Sequence, residues 1–256
     1  MAAFRLSKWY LDCVSDSGDA TILYTGAVRW GSFCLNYSSV LESAAGAVTT
    51  RRSLRAVEEP ALAGDSLHWR SGSLRIEGDW SADSAPLRTM VFSSGAGIVE
   101  WHCLMPRARA RIGARQGLGY AEHLTMTIAP WRLPLRTLRW GRFLSASEWA
   151  VWIDWQGEFT RTLVYRNGRE AGTVSIEDAR IVFDDGSRLV LDRSLVIREG
   201  PLGLTALSGI PGIRALAAGR LLQATESKWR SRARLEREGS PPVAGWAIHE
   251  TVEWPA

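Results

Sequence analysis

Arg161-Thr-Leu-Val-Tyr-Arg-Asn-Gly-Arg169 carries a β-branched, aliphatic and aromatic run into a turn, and Ile181-Val-Phe-Asp-Asp-Gly-Ser-Arg-Leu-Val-Leu191 sets two such runs on either side of one. Asn-Gly accepts positive φ at both central positions of a type I′ turn, whose twist suits two antiparallel strands. Asp184-Asp185-Gly186 closes the second hairpin in the same spirit. Working outward, Thr21 to Trp30 alternates Ile22, Tyr24, Val28 and Trp30 on one face, Ser73 to Trp80 follows a Ser-Gly turn, and Trp149-Ala-Val-Trp-Ile-Asp-Trp155 is another strand-like segment. One stretch reads as helix, Ile210 to Leu222, opened by Pro211 and rich in Ala and Leu. The chain is therefore expected to be all-β and antiparallel, with one short helical insertion in its second half.

An internal repeat organises these strands. Trp101 precedes an arginine-rich strand, a loop and Gly119-Tyr-Ala-Glu122, while Trp229 precedes Arg230, Arg232 and Arg234, a loop and Gly245-Trp-Ala-Ile-His-Glu250. Trp and Glu lie the same number of positions apart in both, and Trp9 to Tyr24 matches Trp140 to Trp155. The arginines align only with a one-residue slip, which Pro106 could supply as a bulge. Two prolines, Pro130 and Pro134, interrupt the pattern, so the sequence divides into halves of residues 1–130 and 131–256.

Composition narrows the function classes. In 256 residues, 46% are hydrophobic and 23% charged, enough apolar material for a core. A net charge of only +4 does not imply nucleic-acid binding. The three cysteines carry no CxxC or His-Cys spacing, which argues against disulfides or structural zinc, and the four histidines are too dispersed to suggest a metal site. No apolar run suits a signal peptide or a membrane helix, so a cytoplasmic location is expected. No nucleophile elbow, phosphate loop, dinucleotide fingerprint or HExxH is present, and no cofactor is expected.

Lys8-Trp-Tyr-Leu-Asp-Cys13, Gly119-Tyr-Ala-Glu-His-Leu124, Leu138-Arg-Trp-Gly-Arg-Phe143, Trp152-Ile-Asp-Trp155 and Gly245-Trp-Ala-Ile-His-Glu-Thr-Val-Glu-Trp254 resemble the AttH and carotenoid hydratase-like (hydroxyneurosporene synthase-like) family. The resemblance covers most of the chain and implies two tandem lipocalin-like antiparallel β-barrels. It also implies acid-assisted hydration, cyclisation or isomerisation of a lipophilic, often isoprenoid or polyene, substrate.

The residues themselves offer candidates for such chemistry. Tyr120, Glu122, Leu124, Met126 and Ile128 share one face of a strand, and Trp246, Ile248, Glu250, Val252 and Trp254 share one face of the last. Each row is apolar but for its glutamate. A carboxyl so placed is either neutralised, and hence a proton donor, or held by a cation. Duplication of the glutamate favours a fold-supporting role, in which it pairs with an arginine or an indole N–H, and shifts the functional expectation to asymmetric residues: His102, opposite Arg230 in the repeat, and Asp154, between Trp152 and Trp155. The enzymatic reading takes Glu122 as acid, with His102 and Tyr120 relaying the proton and Asp154 as a further catalytic candidate. Trp101, Trp140, Trp152, Trp9 and Tyr10 would line the pocket, Arg142 and Glu250 would complete it, and Asp12 stands beside Trp9 and Tyr10. Arg107, Arg109 and Arg111 read as a solvated face. The alternative is a non-catalytic carrier of a hydrophobic small molecule, in which both glutamates support the fold.

Overall fold

The computed structural model describes residues 4–56, 59–210 and 219–255. The chain divides into two compact units, residues 1–132 and 133–256. The first contains β1 (Phe4–Val14), β2 (Ala20–Trp30), β3 (Phe33–Ala44), β4 (Ala47–Ser53), β5 (Ala61–Ala63), β6 (Ser66–Ser71), β7 (Ile76–Ala82), β8 (Leu87–Ser94), β9 (Gly97–Ile112) and β10 (Arg115–Met126). The second contains β11 (Leu135–Leu144), β12 (Trp149–Gly157), β13 (Arg161–Arg166), β14 (Arg169–Glu170), β15 (Thr173–Ile176), β16 (Arg180–Phe183), β17 (Arg188–Leu191), β18 (Leu195–Pro201), β19 (Thr225–Arg237) and β20 (Ser240–Glu253). The fold is all-β and lipocalin-like in both units.

Each unit is one curled ten-stranded sheet, and the strand order is the same in both. It runs β4-β3-β2-β1-β10-β9-β7-β6-β5 with β8 also on β9, and β14-β13-β12-β11-β20-β19-β17-β16-β15 with β18 on β19. The sheets are open paths, with the short β5 and β15 at one edge and β4 and β14 at the other. The Asn167-Gly168 turn has φ of 50° and 83°, the left-handed pair that a type I′ hairpin requires. The Ser-Gly turn runs further than its sequence suggests: Arg75 is left-handed at φ 50°, and β7 begins only at Ile76. Of the expected helix, residues 211–218 lie outside the described residues, and α1 (Gly219–Gln223) is the part described.

Alternation along the strands sends one face of each sheet to an apolar cluster. In the first unit Trp9, Leu11, Cys13, Leu23, Val40, Trp69, Trp80 and Ala121 meet there; in the second, Phe143, Ala150, Trp152, Val164, Phe183 and Ala247. Burying the larger of these side chains, about 1.5–3 kcal/mol for each leucine, valine or phenylalanine, stabilises the curled sheet. Ala108, Ala110 and Ile112 turn inward while Arg109 and Arg111 are exposed, as the Arg-Ala alternation predicts.

Pairing register corrects the repeat. Gly119 lies opposite Ala108 and Gly245 opposite Ala233, so Arg107-Ala-Arg109 matches Arg232-Ala-Arg234. A Cβ on Gly119 would meet the Asp12 carbonyl oxygen at 2.6 Å and one on Gly245 the Leu144 carbonyl oxygen at 2.3 Å, the same close approach of the neighbouring strand in both units. Gly119-Tyr-Ala-Glu-His-Leu-Thr125 therefore matches Gly245-Trp-Ala-Ile-His-Glu-Thr251 residue for residue. Glu122 corresponds to Ile248, and Glu250 to Leu124. Two register shifts in β9, flanking Ala121's partner Met105 and spanning Pro106, have no counterpart at that level of β19. They carry Trp101 to a place opposite Leu124, whereas Lys228 stands opposite Glu250 and Trp229 opposite His249. The matched Trp-to-Glu spacing thus joins residues that are not equivalent, and His102 corresponds to Trp229 rather than Arg230.

Candidate functional site

Glu122 sits on the sheet face opposite the one that carries the first unit's apolar cluster, because its neighbour Ala121 belongs to that cluster. Register builds a square around it: Tyr10 lies opposite Glu122 and Asp12 opposite Tyr120. The antiparallel pairing puts the two carboxyls on one diagonal and the two tyrosines on the other. Each tyrosine donates to the carboxyl two residues along its own strand, Tyr10 Oη to Asp12 Oδ2 at 2.9 Å and Tyr120 Oη to Glu122 Oε2 at 2.6 Å. The Trp101 indole Nε1 donates to the same Glu122 Oε2 at 2.6 Å. All five residues are buried, and the ring of Tyr10 meets those of Tyr120 and Tyr24 edge-on.

Around the square, Cys103 stands opposite Glu122, Tyr24 opposite Tyr10 and Ser39 opposite Tyr24. The Ser39 hydroxyl is buried without a hydrogen-bond partner, and Lys8 Nζ lies 5.1 Å over the Tyr24 ring. The Trp80 indole, reaching from the apolar side, donates to the Asp12 carbonyl at 2.8 Å and pins β1. Burial, followed by the repulsion that an ionised Cys103 or Glu122 would exert on a phenolate, pushes the Tyr120 hydroxyl well above its usual range. Burial, against the Tyr120 hydrogen bond, does the same to the Cys103 thiol. Both remain protonated, neutral donors at any physiological pH.

The other sequence candidates fall in three places. His102 and Trp9 lie on the opposite sheet face from Glu122: His102 is directly opposite His123, whose ring stacks on Trp9 at 4.4 Å. A His102–Glu122 relay is therefore not built, because neighbouring residues of one strand point to opposite faces. Trp152 and Asp154 occupy the corresponding face of the second unit. Asp154 Oδ1 accepts from Gln156 at 2.8 Å and Thr162 at 2.9 Å, and its partner cation is Arg139 at 3.7 Å. These contacts link β12 to β11 and β13 through Asp154. Trp140, Arg142 and Glu250 lie on the second unit's other face. There Arg142, fully buried, donates to the Trp246 carbonyl at 3.0 Å.

That face of the second unit is ionic. Arg198 donates to both carboxylate oxygens of Glu226, at 2.7 and 2.6 Å; Lys228 pairs with Glu250 and lies 5.4 Å over Trp140. Burial and then the Glu250 charge push Glu226 up, and Lys228 and Arg198 oppose them. Sequence reasoning named Asp12 only as a neighbour of Trp9 and Tyr10, and it passed over Tyr24, Ser39 and Cys103 in the first unit and Arg198, Glu226 and Lys228 in the second. The signal it could have used is Tyr10-x-Asp12 beside Tyr120-x-Glu122, the same donor–acid spacing on two strands. Among the described residues one group has metal-ligand spacing, His68, Glu77 and Asp79. His68 and Glu77 are exposed and Asp79 half-buried, and His68 is paired with Asp79 at 2.8 Å.

No protein-family model matches the sequence, and no curated protein matches it. Solved structures do. CghA, crystallised with Sch210972, superposes with a TM-score of 0.57 at 12% identity over 97% of this chain and 88% of that one. An AttH candidate from Nitrosomonas europaea gives 0.53 at 8% identity over 96% and 92%. Kievitone hydratase from Nectria haematococca gives 0.53 at 9% identity over 98% and 89%. The fold is thus that of the AttH and hydratase-like proteins which the sequence resembles. No helix among the described residues is long and apolar enough to cross a membrane.

Proposed function

We propose that the chain is an enzyme for acid-assisted hydration, isomerisation or cyclisation of a lipophilic small molecule, with Glu122 as the proton donor. The observation that carries this reading is the convergence of Trp101 Nε1–H and Tyr120 O–H on one oxygen of a buried carboxyl. Burial favours the protonated acid, and these two neutral donors are already aimed at the anion that proton transfer leaves behind. Hydrogen bonds to a carboxylate are about twice as strong as neutral ones, so the pair stabilises the state formed during reaction more than the state before it. The electron-rich ring of Tyr10 is suited to a developing positive charge. Asp12, held by Tyr10, supplies a second carboxyl on the same face, as a general base for the proton removed or the water added. Names in the structural comparison, a hydratase among them, agree with this class of reaction.

The test begins with native mass spectrometry and organic extraction of gently purified protein, and the recovered compound is incubated with wild type and Glu122→Gln. A variant that melts with the wild type and turns over at least about a hundredfold more slowly supports Glu122 as acid. Wild-type turnover by that folded variant overturns it. A compound released chemically unchanged by both proteins supports the carrier reading instead.

A further inference from the structure

Antiparallel strand order gathers the β1–β2, β3–β4, β6–β7 and β9–β10 turns at one end of the first unit. A cavity of about 620 Å³ opens there, lined by four arginines, Arg51, Arg70, Arg75 and Arg115, and two glutamates, Glu42 and Glu77. Ile76 and Ile112 supply its apolar wall. Arg51 lies opposite Val40 and Arg115 opposite Ile112, both members of the apolar cluster, so these two arginines project to the face away from Glu122.

Arg51 and Arg115 are fixed by the protein itself. Arg115 donates to Thr21 Oγ1 at 2.8 Å and lies 3.6 Å from Asp19, while Arg51 donates to Glu42 at 3.0 Å and to the Leu74 carbonyl. Leu74 is buried in the cluster and its N–H donates to Ser71 Oγ at 3.3 Å, which fastens the β6–β7 turn from inside. Arg75 follows at once, in the left-handed conformation (φ 50°) that residues other than glycine rarely adopt. Arg70 stands on the other arm of the same hairpin, just before the Ser71–Ile76 pair. Among the described residues neither Arg70 nor Arg75 has a carboxylate partner. Glu77, opposite Arg70 in register, keeps its carboxylate within 4.8 Å of the His68 and Asp79 side chains instead.

The second unit gathers the corresponding turns around a cavity of about 560 Å³, and there the charges are matched. Arg166 reaches Asp185 at 3.0 Å and Glu148 at 3.6 Å, and Arg237 donates to both oxygens of Glu148. Among the described residues Arg169 has no carboxylate partner, but it shares its cavity with Glu170, Asp184 and Asp185. A single exposed arginine is simply solvated. Two on one hairpin repel each other, and the walls of a cleft focus their fields on whatever enters it.

We propose that this end of the first unit binds a small molecule carrying a multiply charged oxyanion, a phosphate or a polycarboxylate. Arg70 and Arg75 hold the anion, since each guanidinium is permanently charged and offers paired N–H donors that fit two oxygens of such a group. Arg51 and Arg115 form a prearranged cationic wall behind them, and the rest of the ligand lies against Ile76 and Ile112. The carboxylates of the second unit's cavity repel the same ligand.

The test is isothermal titration calorimetry of the protein with inorganic pyrophosphate and, separately, with citrate. Both are run in about 0.15 M NaCl, where a Debye length of about 8 Å suppresses attraction to net charge alone. Saturable binding of at least one anion is expected, and the tighter of the two tells a phosphate source from a carboxylate one. Arg70→Gln and Arg75→Gly are each expected to weaken the dissociation constant at least about tenfold, through loss of charge-assisted hydrogen bonds. Glycine suits the left-handed turn, so Arg75→Gly should melt no lower than the wild type, which separates lost binding from lost folding. Arg169→Gln, in the second unit's cavity, should leave the dissociation constant unchanged. Absence of saturable binding by either anion, in protein that unfolds cooperatively, overturns the proposal. So does unchanged affinity in both Arg70→Gln and Arg75→Gly, or equal weakening by Arg169→Gln, which would make the binding a property of overall charge.

Discussion

The two units share a strand order and even a close-approach glycine, yet they use the face away from the apolar cluster in opposite ways. In the first, buried carboxyls are held by neutral donors, Tyr10 on Asp12 and Tyr120 and Trp101 on Glu122. In the second, Glu226 and Glu250 are held by cations, Arg198 and Lys228. Position for position, Glu122 becomes Ile248, Tyr10 becomes Arg142 and Trp101 becomes Lys228. The lesson is that duplication preserved the scaffold and not the chemistry. A carboxyl supported by neutral hydrogen-bond donors can carry and release a proton, whereas one paired with a guanidinium or an ammonium has a fixed cation that opposes its protonation.

The largest test of this contrast sets Glu122→Gln against Glu250→Gln. The first is expected to lower turnover by about a hundredfold to ten-thousandfold, the range of a general acid, with little change in melting temperature. The second is expected to spare the reacting groups and cost about 3 kcal/mol of stability, because it leaves the fully buried Lys228 without its nearest carboxylate. Denaturant unfolding measures the difference. Replacing the pair together, Lys228→Met with Glu250→Leu, should recover most of that loss, since a buried ion pair and a packed apolar pair differ little in net stability. If Glu250→Gln abolishes turnover and Glu122→Gln does not, the functional roles of the two units are reversed.

How much of this was legible in the sequence depends on the residue. Asn167-Gly168 and Asp184-Asp185-Gly186 marked their hairpins because turn chemistry is local, and the Arg-Ala alternation of 107–112 marked a half-exposed strand for the same reason. The pairing of Trp101 with Glu122 was legible as a recurrent spacing, but its meaning was not. Two bulges in β9 decide which residue of that strand faces Glu122, and a bulge is a property of the pairing, with Pro106 as its only local hint. His102 was misplaced for a related reason: it follows Trp101 in sequence, and adjacency in a strand means opposite faces. Arg198 and Glu226 were invisible because β18 reaches β19 only through the sheet, and no period in the sequence connects them.

A pH-dependent contrast of intermediate size lies in the matched histidines. His249 is enclosed, and burial lowers its pKa to about 3. In the unfolded chain it titrates near 6.5, so between about pH 6.5 and 3 the unfolded state binds a proton that the folded state does not. Stability therefore falls as pH drops through that window, by about 1.4 kcal/mol per unit from this residue alone, and the contribution is complete below pH 3. His249→Gln should flatten the acid limb of stability measured by denaturant at pH 7, 6, 5 and 4. His123→Gln, at the matched but half-buried position, should flatten it less. Equal slopes for the two variants would mean that the second unit opens to water where it is drawn closed.

The smallest expected effect comes where the units agree. Arg109 and Arg234 are equivalent, both exposed, each flanked by inward alanine or aliphatic neighbours, and Arg234 makes a loose contact with Glu236 at 3.7 Å. An exposed ion pair of that length contributes between about 0 and 1 kcal/mol, since solvent screens the charges and ordering two long side chains costs entropy. Arg109→Ala and Arg234→Ala are each expected to change unfolding free energy by less than about 0.5 kcal/mol and to leave turnover alone. A loss above about 1 kcal/mol at one position only would extend the divergence of the two units to their outward faces. It would also mean that the arginine rows, which recur in both units at matching positions, do more there than keep a strand face in water.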